Sequence, residues 1–302
     1  MKQLFALLGV ISILAAGCRE DNIPQFTLKA PTVDSTYNLV TMPGGSVSLV
    51  PATQPHNVLV EEFTGQSCGN CPPAHLLLDN LRAKPSSVGR INVISMYFYG
   101  GSQTAPYDNS KYDLRDSTCT NIEKLIYSDP NGLPCAGIDR TESGGKLSFL
   151  SNLWANLIDT QKMFVDSLNL AVASSYSGTT ATVLVTVTYT RDVGSKQNLS
   201  VCVLEDSIID LQEWSGYPGN CDTFYTFNDV FPARLTNNYS GDGLLDTMAV
   251  KPLGQVYWRR FTYTLDPAKM NPAHCRVVAF VSNRGDGGDY RVQQSASAPL
   301  KP

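Results

Sequence analysis

Charge is scarce in this 302-residue chain: only 17% of its residues are Asp, Glu, Lys or Arg, with a formal net charge of −4. No Lys/Arg stripe is present, which argues against nucleic acid as a partner. Histidine is scarcer still, at three. His56, His75 and His274 are scattered and form no ligand cluster. Cys68, Cys71, Cys119 and Cys135 lack the paired spacing of a zinc site, so neither metal nor cofactor is expected. After the N-terminus no apolar run is long enough to span a bilayer. Repeats and low-complexity tracts are also missing.

Cysteine is present, with eight residues, and the first marks an address. Met1 to Gly17 carries a single charge, Lys2, followed by an apolar run from Leu4 to Ala16, and ends in LAAGC. This is a signal peptide, too short for a membrane span. Its small residues before Cys18 resemble the lipobox of bacterial lipoproteins, which implies lipid on Cys18 as the mature N-terminus. Arg19, Glu20 and Asp21 resemble the surface-export tag of Bacteroides-like lipoproteins. An exported chain sits in an oxidising compartment, so disulfides are expected among the other seven cysteines, with one left over.

The stretch Asn57 to Leu81, NVLVEEFTGQSCGNCPPAHLLLDNL, organises the chain. It reads as an apolar strand over Val58 to Phe63, a short loop, and a helix bearing Leu76, Leu77, Leu78 and Leu81. Cys68 and Cys71 fall at the junction, where unpaired N–H groups and the helix dipole favour a thiolate. With Asn70 as N-cap, Pro72 and Pro73 occupy the first turn, where a missing N–H costs little. Cys68 is then the exposed nucleophile and Cys71 the covered, resolving thiol; the other reading is a permanent staple of the loop. The arrangement resembles the redox segment of the thioredoxin fold. That resemblance implies a buried acid at Glu62, acting as proton acceptor for Cys71, and a cis proline at Leu133-Pro134 that receives substrate backbone. Ser67 and Asn70 depart from the thioredoxin pattern. An exposed strand carboxylate at Glu61 or Glu62 is the competing reading.

Further along, Arg90 to Tyr99 reads as a central strand and Gly100 to Asp116 as an insertion able to rim the site. A helix follows near Thr118 to Tyr127. Cys135, after the proposed cis proline, is either an accessory thiol or the partner of Cys119 in a structural bridge, and the bridge is favoured. A hairpin around Gly144-Gly145 and a helix over Phe149 to Val165 come next. From Leu168 the period changes to two, the pattern of an all-β sandwich, with one bridge expected among Cys202, Cys221 and Cys275.

The sequence therefore predicts an α/β thioredoxin-like domain followed by an all-β immunoglobulin-like sandwich. The expected bounds are 1–17 for the signal, 18–55 for a tether with a short β segment, 56–166 for the α/β domain and 167–302 for the sandwich. The lipobox, VEEFTGQSCGNCPPA, GLPCAGIDR, VCVLEDSIIDLQ with YTFNDVFPARL, and the final hairpin together resemble the outer membrane protein 28-related lipoproteins of Bacteroides-like bacteria. The resemblance implies an outer-membrane, lipid-anchored protein. Two functions fit: thiol-disulfide exchange on exported proteins through Cys68 and Cys71, or non-catalytic surface binding or adhesion with that pair as a structural disulfide.

Overall fold

The computed structural model describes residues 52–128 and 132–301, and the backbone of 34–39; Cys18 and the strand expected over 46–50 lie outside the described residues. In chain order the elements are β1 (Asp34–Leu39), β2 (Val58–Thr64), α1 (Cys71–Ala83), β3 (Ile91–Tyr97), α2 (Ser117–Ile122), a π-helical turn over Glu123–Tyr127, β4 (Cys135–Ile138), β5 (Phe149–Leu150) and α3 (Ser151–Gln161). Strands then dominate: β6 (Leu168–Ser177), β7 (Thr180–Tyr189), β8 (Gln197–Glu205), β9 (Ile208–Glu213), β10 (Cys221–Phe227), β11 (Val230–Arg234), β12 (Asp242–Leu244), β13 (Gln255–Thr264), β14 (Cys275–Asn283) and β15 (Val292–Pro299).

These strands do not divide into the two successive domains that the sequence suggests. A nine-stranded mixed sheet runs β15-β14-β8-β11-β3-β2-β4-β5, with β12 also paired to β8. Its junction is the parallel step from β3 to β11, where Val230 stands opposite Ser95 and Ser95 N–H donates to Asp229 C=O at 2.8 Å. The expected α/β thioredoxin-like domain followed by an immunoglobulin-like sandwich is therefore corrected: the chain is mostly β, 41% strand against 18% helix, in mixed and antiparallel sheets. A second, antiparallel sheet of order β1-β13-β7-β6 packs alongside, and β9 with β10 forms a separate hairpin.

Burial explains why the large sheet holds together. All nine residues of β8 are buried, from Gln197 to Glu205, so the strand is covered on both faces along its whole length. Alternation sends Val201 and Val203 into the core shared with β6, β7 and β13. It sends Cys202 and Leu204 into a core with Leu59, Phe63, Ile94 and Tyr127 from the N-terminal half. The second core lies inside a curl of the sheet. Arg140, just after β4, stacks its guanidinium 5.0 Å from the Phe280 ring of β14, and Val292 N–H of β15 donates to Asp139 C=O at 2.8 Å. On the outer side of β2, β3 and β4, helices α1 and α3 bury Leu78, Leu81, Trp154 and Ile158. Among the described residues no helix is long and apolar enough to cross a membrane.

A buried polar knot closes the curl. His56 Nδ1 lies 2.7 Å from Asp166 Oδ1 and Nε2 lies 2.8 Å from Asp139 Oδ2. Gln294 of β15 donates to the other Asp166 oxygen at 2.5 Å. Burial alone pulls the imidazole pKa down, but the hydrogen bonds and charges of Asp139 and Asp166 outweigh it and raise the value from 6.5 to about 9. His56 is thus a cation at neutral pH, holding the start of β2, the end of β4 and the start of β6 together. Replacing it with Leu strands two buried carboxylates, and urea unfolding at pH 6 should show a loss of about 3–5 kcal/mol. Because the folded pKa exceeds the unfolded one, the cation's contribution is complete below pH 6.5 and is lost as pH rises through about 9. The stability gap between wild type and His56→Leu should close across that window.

Candidate functional site

β2 delivers the site. Its alternation sends Leu59, Glu61 and Phe63 into the curl and Val58, Val60 and Glu62 toward α1. Both glutamates are 1% exposed, so neither is a surface carboxylate, but their surroundings differ. Glu61 is fully partnered: Arg140 Nε and Nη2 donate to its two oxygens at 2.6 and 2.5 Å, and the Tyr127 hydroxyl donates at 2.5 Å. Glu62 receives one long bond, from Ser95 Oγ at 3.4 Å. Its Oε1 has no hydrogen-bond partner, with His75 Nε2 standing 3.5 Å away. Burial pushes the Glu62 carboxyl up to about 8, against smaller opposing effects of the Ser95 hydrogen bond and then Arg82, so it is largely protonated at neutral pH.

After β2 the chain turns through Gly65 to Asn70 into α1. Cys71 is the first helical residue, Pro72 and Pro73 fill the first turn, and Asn70 stands at the N-cap without a side-chain cap bond. Cys68 and Cys71 form a disulfide, with Cα atoms 5.4 Å apart. The loop folds back on itself, Cys71 N–H donating to Cys68 C=O at 3.0 Å. His75, one helical turn after Cys71 on the same face of α1, reaches Glu62, so the carboxyl lies beneath the first turn of the cysteine helix.

The exposed position expected for Cys68 is corrected: both cysteines are 0% exposed. Two segments cover them. From the inserted loop, Gln103 C=O accepts from Ser67 N–H at 3.1 Å and Ala105 C=O from Ser67 Oγ at 2.8 Å. From the β9/β10 hairpin, Glu213 N–H donates to Gln66 C=O at 2.9 Å and Ser215 N–H to Gly69 C=O at 2.8 Å. The Gln212 amide adds bonds to the carbonyls of Gly65 and Cys68 at 3.2 and 3.1 Å. The approach is so close that a Cβ at Gly69 would collide with Ser215 Oγ, and one at Gly65 with the Gln103 carbonyl.

The Leu133-Pro134 bond is cis, and Cys135 next to it pairs with Phe63 of β2. Leu133 lines a groove of about 470 Å³ together with Phe98, Tyr99, Gln103 and Lys124. Gln103 thus belongs both to this groove and to the cover over Ser67. Cys119 and Cys135 are free thiols, not the bridge expected from sequence. Their surroundings differ: burial, then Asp116 and Cys202, push the Cys119 pKa well up. Cys135 feels burial, then Glu62 and Glu123, and is pushed up to about 12. Cys202, Cys221 and Cys275 are free as well, so the expected second bridge is also absent among the described residues. High pKa values leave Cys119 and Cys135 as inert thiols near neutral pH. Sequence reasoning missed the hairpin residues Gln212, Glu213, Ser215 and Tyr225; the alternation in SIIDLQ and the turn residues of SGYPGN were the signals that could have found a hairpin.

With this geometry in hand, the chain belongs to the family described as Outer membrane protein Omp28, whose match covers residues 125–300. That range includes the cis proline and the hairpin and leaves the cysteine loop outside. The fold is similar to that of HBP35 of Porphyromonas gingivalis, at 16% identity and a TM-score of 0.62, over 82% of this chain and 77% of that one. A protein of Agrobacterium tumefaciens aligns over 82% of this chain and 95% of its own, at 14% identity and a TM-score of 0.46. No curated protein matches.

The hairpin's grip on the cysteine loop can be tested by crowding it. In Gly69→Ala the new methyl displaces Ser215, and reduction of the disulfide by dithiothreitol should accelerate about tenfold, equivalent to about 1.4 kcal/mol of lost closing free energy. Thiol alkylation followed by mass measurement reads the rate.

Proposed function

We propose that this protein is a lipid-anchored outer-membrane lipoprotein, held by acylated Cys18, whose Cys68/Cys71 pair exchanges with thiols and disulfides of exported proteins. The observation that carries the reading is Glu62, a buried acid of β2 whose unpartnered oxygen lies 3.5 Å from His75, the residue one helical turn after Cys71. Leaving a buried polar atom unpaired costs about 1–3 kcal/mol, a cost that a mere staple has no use for.

The chemistry follows from its protonation state. In the oxidising direction a substrate thiolate attacks Cys68 Sγ, the bond to Cys71 breaks, and the departing Cys71 thiolate takes the proton from neutral Glu62. The second substrate thiol, losing its own proton to solvent, then attacks the mixed disulfide and leaves with its disulfide formed and Cys68 released as thiolate. In the reverse direction Cys68 thiolate attacks a substrate disulfide, and Glu62 carboxylate accepts the Cys71 proton as Cys71 resolves the adduct. The groove beside Leu133 and Pro134 is where substrate backbone would dock. Either direction requires the hairpin to move off the cysteine loop.

Full burial of both sulfurs favours a second reading, a non-catalytic surface-binding protein with Cys68–Cys71 as a structural disulfide. Trapping decides between them. In cells, Cys71→Ser lacks the resolving thiol and should accumulate mixed disulfides that the Cys68→Ser/Cys71→Ser control lacks, visible by diagonal electrophoresis. Identical patterns, with no turnover of a test disulfide by purified wild type, would leave the staple. For the anchor, labelled fatty acid should enter wild type and not Cys18→Ser, and persistent label in the variant would remove lipid from that residue.

A further inference from the structure

Glu62 is sealed on the cysteine side, yet an acid that gives or takes a proton must exchange it with solvent. A cavity of about 30 Å³ opens beside it, bounded by Glu62, His75, Asp79, Arg82, Tyr225 and Asp229. That volume holds one or two waters. His75 is fixed across the gap. Its Nδ1 lies 2.6 Å from the Tyr225 hydroxyl and its Nε2 lies 2.9 Å from Thr64 Oγ1 and 3.5 Å from Glu62 Oε1. The ring is half-buried, with 15% of the side chain exposed. Burial lowers the His75 pKa to about 4, Asp79 opposing, and burial raises that of Tyr225. At neutral pH the pair is therefore a neutral imidazole and an intact phenol, each able to pass one proton while receiving another.

We propose that His75 and Tyr225 form the proton path between the buried carboxyl of Glu62 and solvent. This deepens the exchange reading and rests on it for its purpose. Once the Thr64 hydroxyl turns away from Nε2, Glu62 O–H passes its proton to His75 Nε2 as Nδ1–H passes to the Tyr225 oxygen, whose own hydroxyl proton goes to water in the cavity. One proton moves from Glu62 to water, the ring exchanges its tautomer, and no imidazolium accumulates; the reverse sequence recharges Glu62. The contrast with Glu61 supports the assignment. A structural carboxylate in this strand has both oxygens tied to Arg140 and Tyr127, whereas the unpartnered oxygen of Glu62 lies 3.5 Å from the partly exposed ring of His75. The ionisable groups facing the path are Glu62 from β2, Tyr97 from β3, Asp79 and Arg82 from α1, Tyr225 from β10 and Asp229 after it. His75 and Tyr225 act through Glu62 and are positioning residues.

Infrared spectroscopy of the whole protein tests the path without relying on turnover. At pH 6 the carboxylic C=O band that disappears in Glu62→Gln belongs to Glu62. On transfer to D2O this band should shift rapidly in wild type and at least tenfold more slowly in His75→Gln and in Tyr225→Phe, the latter keeping the aromatic ring and its packing. Unchanged deuteration in Tyr225→Phe, or no band removed by Glu62→Gln, overturns the proposal. Turnover of a test disulfide, measured in parallel, separates the two ideas. Slowed deuteration with an inactive wild type retains the path and removes the exchange reading. Active wild type with unchanged deuteration does the opposite.

Discussion

Asp229 sits where the two halves of the chain become one sheet. Its carbonyl accepts from Ser95 of β3, its carboxylate takes Arg82 from α1 at 2.8 Å and Arg276 from β14, and its own N–H is held by Asp206 at 2.7 Å. A buried carboxylate with two arginines satisfies its charge within the protein. Through it the cysteine helix, the central strand and the C-terminal strands share one anchor. Because β3 is bordered by β2 on one edge and β11 on the other, neither half has a free inner edge.

This continuity shapes the site. The hairpin between β9 and β10 is offered to the cysteine loop because β11, which follows it, lies next to β3 and one strand from β2. The loop is then covered through main-chain bonds to Gln66 and Gly69, contacts that depend on backbone geometry more than on side-chain identity. Beneath it, the period of two in β2 separates adjacent glutamates into two chemistries. One is neutralised by Arg140 inside the curl; the other is kept protonated by burial on the helix side.

Much of the local structure was legible in the sequence. The apolar start Val58-Leu59-Val60 before Cys68 and the prolines after Cys71 located β2 and the start of α1, because valine-rich segments favour strands and first-turn prolines favour a helix start. Leu133-Pro134 and the buried Glu62 were readable through resemblance. What could not be read was how distant strands pair. The strands from Leu168 onward carry a sandwich's alternation, yet β8 and β14 are buried on both faces, and local periodicity does not say which sheet lies on the second face. The burial of Cys68 was hidden for the same reason: its cover, Gln212, is 144 residues away, and nothing in a Cys-x-x-Cys announces it. The pairing of cysteines failed on surroundings rather than on count, since Cys119 and Cys135 have different neighbours.

The cysteine loop precedes in the chain the hairpin that covers it, with 144 residues between Cys68 and Gln212. Without that hairpin the loop lacks the cover that Gln212, Glu213 and Ser215 supply. Docking of the hairpin therefore encloses whichever state of the pair it meets, and lifting it exposes that pair again.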